Sequence, residues 1–319
     1  MIILQLAFGV VGLHFGAEWL VSGSSRLALT FGVKPLVIGL TLVAFGTSAP
    51  ELTVSMAGAI GGQPDVSVGN VIGSNIANIG LVLGLSATIR PINVDPEVFR
   101  RDLPAMLFAA LLIAVLPFIG GPIETGDGAG FMLDRWKAVI LLVTIAVILF
   151  LMFRGSRGGD EPREHTPRRH RAGLVLLTIF GLAALLVGGK LFVDGAVDAA
   201  QRLGIPQLVI GLTVVAVGTS LPELATSIVA IIRGESAISL GNVVGSNIFN
   251  ICLVLGLVSL VHPLVIDARV MKMDMIVMLG FSAGVTALAW RGKRLSRPEG
   301  LLLLSAYGLY ITNLFVGWV

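Results

Sequence analysis

The stretch "LVIGLTLVAFGTSAPEL" at residues 36–52 returns almost unchanged as "LVIGLTVVAVGTSLPEL" at residues 208–224. Each copy places a proline and a glutamate inside an apolar run, Pro50 with Glu51 and Pro222 with Glu223. Proline lacks the N–H that holds a helix together and crowds the carbonyl four residues back, here Gly46 and Gly218. An ionised side chain at mid-bilayer costs about 2.5–3.5 kcal/mol on insertion scales. A chain that makes both choices twice, at matching positions, has a use for them.

A second pair extends the match. "GNVIGSNIANIGLVLGL" (69–85) returns as "GNVVGSNIFNICLVLGL" (241–257), and both alignments use the same offset of 172 without a gap. In each, 14 of 17 positions are identical, which is the mark of a duplicated unit.

Composition sets the environment of that unit. Of the 319 residues, 55% are hydrophobic and 13% charged, against about 25% charged in soluble domains. Apolar runs such as 135–153 and 172–188 approach the roughly 20 residues that span a bilayer. They do not alternate as barrel strands would, so the sequence predicts an all-α polytopic membrane protein. Ten transmembrane helices are expected, near 2–22, 35–60, 67–87, 103–120, 136–153, 173–199, 207–232, 239–261, 273–290 and 300–317. The Met-Ile-Ile-Leu start has no basic n-region and reads as the beginning of the first span. Cys252 is the lone cysteine, so an internal disulfide or thiolate cluster is excluded.

Five spans per unit is an odd number, so the second copy enters the membrane in the opposite direction. The expected architecture is two inverted five-helix repeats, 1–153 and 173–319, joined by the basic linker 154–172. With both termini outside, 16 of the 22 lysines and arginines fall on the cytoplasmic side, six of them within 154–171. The positive-inside rule therefore puts the linker in the cytoplasm and the chain in the cytoplasmic (inner) membrane. The linker reads as a solvated topological anchor, and the pI near 9.3 as a product of such loops rather than of nucleic-acid binding.

Helical spacing gathers Ala44, Thr47, Ser48 and Glu51 on one face, and Ala216, Thr219, Ser220 and Glu223 on its counterpart. Asn70, Ser74 and Asn78 form a stripe at i, i+4, i+8, repeated by Asn242, Ser246 and Asn250. Gly69, Gly73 and Ala77, with Gly241 and Gly245, supply small residues beside it for close helix packing. The inventory is carboxylates, hydroxyls, amides and carbonyls, without thiolate or histidine. Hard cations such as calcium and sodium take that set, whereas zinc or copper would want nitrogen or sulfur. Packing alone accounts for the glycines, but intramembrane acids are functional by default.

These doubled GTSxPE and GSNxxN motifs resemble the α-repeats of the sodium/calcium exchanger family, within the cation/calcium antiporter superfamily, with cores at 36–87 and 208–259. The resemblance implies that Glu51 and Glu223 bind calcium, helped by Thr47 and Thr219. Sodium would share those ligands and add Ser48, Ser220, Ser74, Ser246 and the carbonyls of Ala44 and Ala216. Asn78 and Asn250 complete the expected set; some relatives carry aspartate at the latter position, and its absence argues against potassium dependence. The linker is too short for the calcium-sensing insertion of eukaryotic relatives.

The expected function is therefore secondary active exchange of calcium for sodium by alternating access, with no enzymatic step and no cofactor. Calcium/proton antiport is the alternative; a cation channel and an intramembrane hydrolase fit less well, the latter because no histidine accompanies the repeated serines. Elsewhere, Lys190, Asp194, Asp198 and Arg202 form a stripe that reads as local ion pairing. His14 and Glu18 read as packing or helix-end residues, and Trp136 and Trp318 as interfacial anchors.

Overall fold

A computed structural model describes residues 1–125, 128–156, 168–203 and 216–316. Among these, seven helices are long and apolar enough to cross a membrane, and eight if the bent pair Pro35–Thr47 and Ala49–Ile60 forms one span. The expected span at 207–232 lies partly outside the described residues; its described remainder is Ala216–Thr219 and Leu221–Ile232. Arg297–Val316 is a further helix of 20 residues. Most of the 154–172 linker and Trp318 lie outside the described residues.

Hydropathy marks the spans but not the helix ends. The first helix runs Ile2–Phe31, well past the expected 22; the helix continues through exposed Arg26, with Ser24, Ser25, Leu27, Ala28 and Thr30 buried against the protein. It ends at Gly32, whose positive φ of 63° lets the cap N–H reach the Ala28 and Leu29 carbonyls. Its partner Arg168–Arg202 has 35 residues, about 52 Å of helix, longer than the roughly 30 Å hydrocarbon core. The two lie side by side and antiparallel: a Cβ at Gly9 would meet Phe192, one at Gly12 would meet Gly188, and one at Gly23 would meet Thr178. This is the close approach that small residues permit in lipid. We call it the peripheral pair.

Two other helices form the centre. Pro64–Ile89 and Ser236–Val261, the first and second central helices, each contain a π-helical turn, at Asn78–Leu83 and Phe249–Val254. They are antiparallel. Strand Ile92–Asn93, which follows the end of the first, packs by the start of the second; strand Leu264–Asp267, which follows the end of the second, packs by the start of the first. Short strands were not expected from the sequence, since these loop segments are too brief for any alternating pattern. Ile92–Asn93 pairs with Arg294–Leu295, and Leu264–Asp267 pairs with Gly128–Leu133, which pairs with Pro122–Thr125. One sheet thus sits at each end of the central helices.

Polar contacts sort the loops in the same way. At the first sheet's end, Lys34 pairs with Glu97 at 2.6 Å, Ser25 donates to Glu235, Arg233 pairs with Glu18, and Arg297 donates to the Ile89 carbonyl. At the other end Arg135 donates to the Leu260 carbonyl and Lys137 to that of Met132. Glu18, in mid-helix, therefore tethers Arg233 at the C-terminal cap of Leu221–Ile232, while exposed His14 packs edge-on against Phe15. Trp136 is exposed, with the Lys137 ammonium over its ring. On the peripheral pair, Lys190 and Asp194 form the expected local ion pair at 3.3 Å.

Candidate ion-binding site

The break in the first apolar run falls at Ser48. There φ −82° and ψ 5° end the turn Ala44–Thr47, and Ala49–Ile60 begins with Pro50 in its first turn, where a missing N–H costs least. Ser220 repeats this conformation (φ −86°, ψ 4°) before Leu221–Ile232, with Pro222 in the first turn. In both copies the glutamate follows directly, so Glu51 and Glu223 lie in the first turn of a helix that starts inside the bundle. The helix dipole favours negative charge at that end.

Both glutamates are fully buried. So are Thr47, Ser246, Asn78 and Asn250, and Ser48, Ser74, Thr219 and Ser220 are buried nearly as completely. Contacts run between the copies and, at Ser246, within the second. Thr47 Oγ1 donates to Asn242 Oδ1 (3.0 Å) and lies 3.4 Å from Ser246 Oγ. Ser48 Oγ and Ser246 Oγ both donate to Glu223 Oε1, at 3.5 and 3.4 Å. Thr219 Oγ1 donates to Asn70 Oδ1 at 3.4 Å, the counterpart of the Thr47 bond. Glu223 in turn lies within electrostatic reach of Glu51.

The second central helix can reach the first broken helix because of two glycines. A Cβ at Gly245 would stand 2.5 Å from the Leu40 carbonyl oxygen and 2.7 Å from Ala44 Cβ; one at Gly241 would meet the Leu36 carbonyl. The counterparts of Leu36, Gly39 and Leu40 in the second copy fall in 204–215, outside the described residues.

Two sequence expectations change in detail. Asn70 and Asn242 belong to the polar stripe, yet their amides brace the glutamate turns. Asn70 Nδ2 donates to the Glu51 carbonyl and Ser55 Oγ, and Asn242 Nδ2 to the Glu223 carbonyl and Ser227 Oγ. The Ala44 carbonyl already accepts from the Ser48 N–H (3.0 Å) and lies 3.4 Å from Thr47 Oγ1. Pro50 has no N–H to give the Gly46 carbonyl, which accepts instead from a backbone N–H at the Ser48 cap. Ala216 opens the turn Ala216–Thr219 at the equivalent place.

Reasoning from the stripe missed Asn75 and Asn247. Each amide donates to the other's backbone carbonyl, at 3.4 and 3.3 Å, where the central helices cross. The signal was present in GSNxxN, whose first asparagine lies off the i, i+4, i+8 face.

The electrostatics are one-sided. Among the described residues no ion pair reaches Glu51 or Glu223, and no group of three or more His, Cys, Asp or Glu is arranged to hold a metal ion. Both oxygens of Glu51, Oε2 of Glu223, the hydroxyls of Ser74 and Ser220, Oδ1 of Asn78 and both amide atoms of Asn250 are buried without a hydrogen-bond partner. Native proteins rarely leave such atoms unmet. Two carboxylates and a shell of neutral oxygens make a set that a hard cation would satisfy.

The family model for "Sodium/calcium exchanger protein" matches residues 1–154 and 173–316. The sodium/calcium exchanger MaX1 of Methanosarcina acetivorans is 34% identical over 342 residues, covering 98% of each chain. The putative antiporter CaxA of Alkalimonas amylolytica is 38% identical over 318 residues, covering 96% of each. Among solved structures, the sodium-calcium exchanger NCX_Mj soaked with 10 mM Na+ and zero Ca2+ superimposes with a TM-score of 0.86 at 36% identity, over 98% of this chain and all of that one. With its buried carboxylates held in broken helices and, among the described residues, matched by no cationic side chain, this chain is an integral multi-pass membrane antiporter of the sodium/calcium exchanger family.

Proposed function

We propose that the chain exchanges calcium for sodium across the cytoplasmic membrane by alternating access, with Glu51 and Glu223 as the central ligands. The observation that carries this reading is the pair of fully buried glutamates with three unpartnered carboxylate oxygens and, among the described residues, no cationic side chain paired to either. Two ionised carboxylates carry the charge that one calcium balances. Thr47 and Thr219 complete a calcium shell, and Ser48, Ser220, Ser74, Ser246, Asn78, Asn250 and the Ala44 and Ala216 carbonyls are the further oxygens from which sodium is served.

The architecture that goes with this function is ten spans in two inverted repeats, 1–153 and 173–319. The antiparallel central helices and the sorting of loops to two ends support it. The end that gathers Lys34, Arg233 and Arg297 is the cytoplasmic one by the positive-inside rule, which puts the 154–172 linker there and both termini outside.

Calcium/proton antiport is the second reading, since unpaired carboxylates also accept protons. The neutral oxygens favour sodium, because a proton needs none of them. The test is calcium-45 uptake into proteoliposomes under imposed sodium or proton gradients, with voltage set by potassium and valinomycin. A sodium-loaded site that uses the neutral oxygens as well as the carboxylates carries net positive charge, so exchange is electrogenic. Each net charge is worth about 2.3 kcal/mol per 100 mV. Uptake that follows sodium and responds to voltage supports the proposal; uptake that follows protons alone promotes the second reading.

A further inference from the structure

The clasp between the central helices repeats at the offset of 172 in every partner. Asn75 Nδ2 donates to the Asn247 carbonyl and reaches Met278 Sδ at 3.8 Å; Asn247 Nδ2 donates to the Asn75 carbonyl and reaches Met106 Sδ at 3.7 Å. Both amides are almost fully buried. With the nitrogens spent on this clasp, the two Oδ1 atoms are left to accept from other donors.

At those oxygens the repetition stops. Asn247 Oδ1 accepts from Asn78 Nδ2 at 3.1 Å, which fixes the Asn78 amide with its own Oδ1 unpaired. The matching bond would run from Asn250 Nδ2 to Asn75 Oδ1, and both of those atoms are buried without a partner. The glutamates lean the same way. Ser48 holds Glu223 Oε1 at 3.5 Å, whereas its equivalent Ser220 makes no hydrogen bond. A duplicated structure in an unequal arrangement has a counterpart in which the halves exchange roles.

We propose that Asn75 and Asn247 are positioning residues that orient the amides of Asn250 and Asn78 one at a time, and that engagement passes from the Asn247–Asn78 pair to the Asn75–Asn250 pair when the carrier reverses the side to which its site opens. This rests on the exchange function proposed above. The amide-to-carbonyl clasp is common to both arrangements and acts as the pivot. The side-chain oxygens are what change partner, so each asparagine serves the site in one access state.

The consequence is sided. In vesicles of known orientation, apparent KM for calcium-45 transport is measured from each face. Asn247→Ala raises it by about threefold to tenfold at one face, the worth of one buried hydrogen bond, and Asn75→Ala does so at the opposite face. Met106→Leu and Met278→Leu remove only the sulfur acceptors at nearly constant volume, and repeat the two sidednesses at smaller amplitude in well-folded protein. A purely structural role would lower folded yield and maximal rate without a sided KM. Equal shifts at both faces in the methionine variants, or no shift, overturn the proposal. Glu51→Gln serves as the reference in the same vesicles. If it still carries calcium, the site assignment fails and the relay with it; if it is inactive while the methionine variants are unsided, the relay alone fails.

Discussion

The central helices and the peripheral pair are equally hydrophobic and oppositely placed. Mean hydropathy is 1.5 and 2.0 for the central helices and 1.4 and 2.3 for the peripheral ones. The protein buries 72% and 83% of the central windows but only 17% and 28% of the peripheral ones. Average hydropathy marks a helix for the membrane without saying what it touches there. The difference lies in what interrupts the apolar residues. Asn, Ser and paired Gly on one stripe need protein around them, because unsatisfied polar groups are costly in lipid. A glycine seam facing one neighbour leaves the rest of the helix free to meet lipid.

The sharpest way to break this comparison is at the glutamates. Glu51→Gln and Glu223→Gln each keep shape while removing one of the site's two carboxylates, and each is expected to abolish gradient-driven calcium uptake with normal membrane insertion. Substantial calcium-45 uptake in either would mean that the polar centre is not the ion site.

Glycine substitutions compare the two regions next. Gly245→Val drives a side chain into the Leu40 carbonyl and Ala44, directly behind Thr47. Overpacking of this kind costs about 1–3 kcal/mol, and here transport falls at least tenfold along with thermal stability. Gly12→Val collides with Gly188 in the peripheral seam and costs similar stability, but leaves the Thr47–Glu223 cluster in place. Calcium binding to the detergent-solubilised protein, read by calorimetry, should survive in Gly12→Val and fail in Gly245→Val. The reverse ranking would mean that the seam shapes the site.

The smallest effect is expected at Lys190. Its ammonium and Asp194 are exposed, so Lys190→Ala should change thermal stability by less than about 1 kcal/mol and leave sodium-driven uptake near normal. A large loss of transport would turn this local pair into part of an ion route.

The broken helices were legible because proline and glutamate are so improbable in an apolar run that their repetition at Pro50, Glu51, Pro222 and Glu223 spoke for itself. Helix length was less so: Arg26 ends a hydropathy window but not the helix, which continues to Phe31. The π turns at Asn78 and Phe249 leave no compositional trace, yet they shift the register at which the stripes face each other. Asn75 and Asn247 stood in plain view within GSNxxN. Their bonds are to backbone carbonyls on another helix, which periodicity along one helix does not address.

The two small sheets also bear on chain connectivity. Each pairs a strand from before the linker with one from after it: Ile92–Asn93 with Arg294–Leu295, and Gly128–Leu133 with Leu264–Asp267. The halves are therefore stitched at both ends by main-chain bonds that owe nothing to the covalent bridge between them. Two polypeptides, 1–156 and 168–319, made together in one cell should find each other and reassemble, and a nick in the linker should leave the carrier whole.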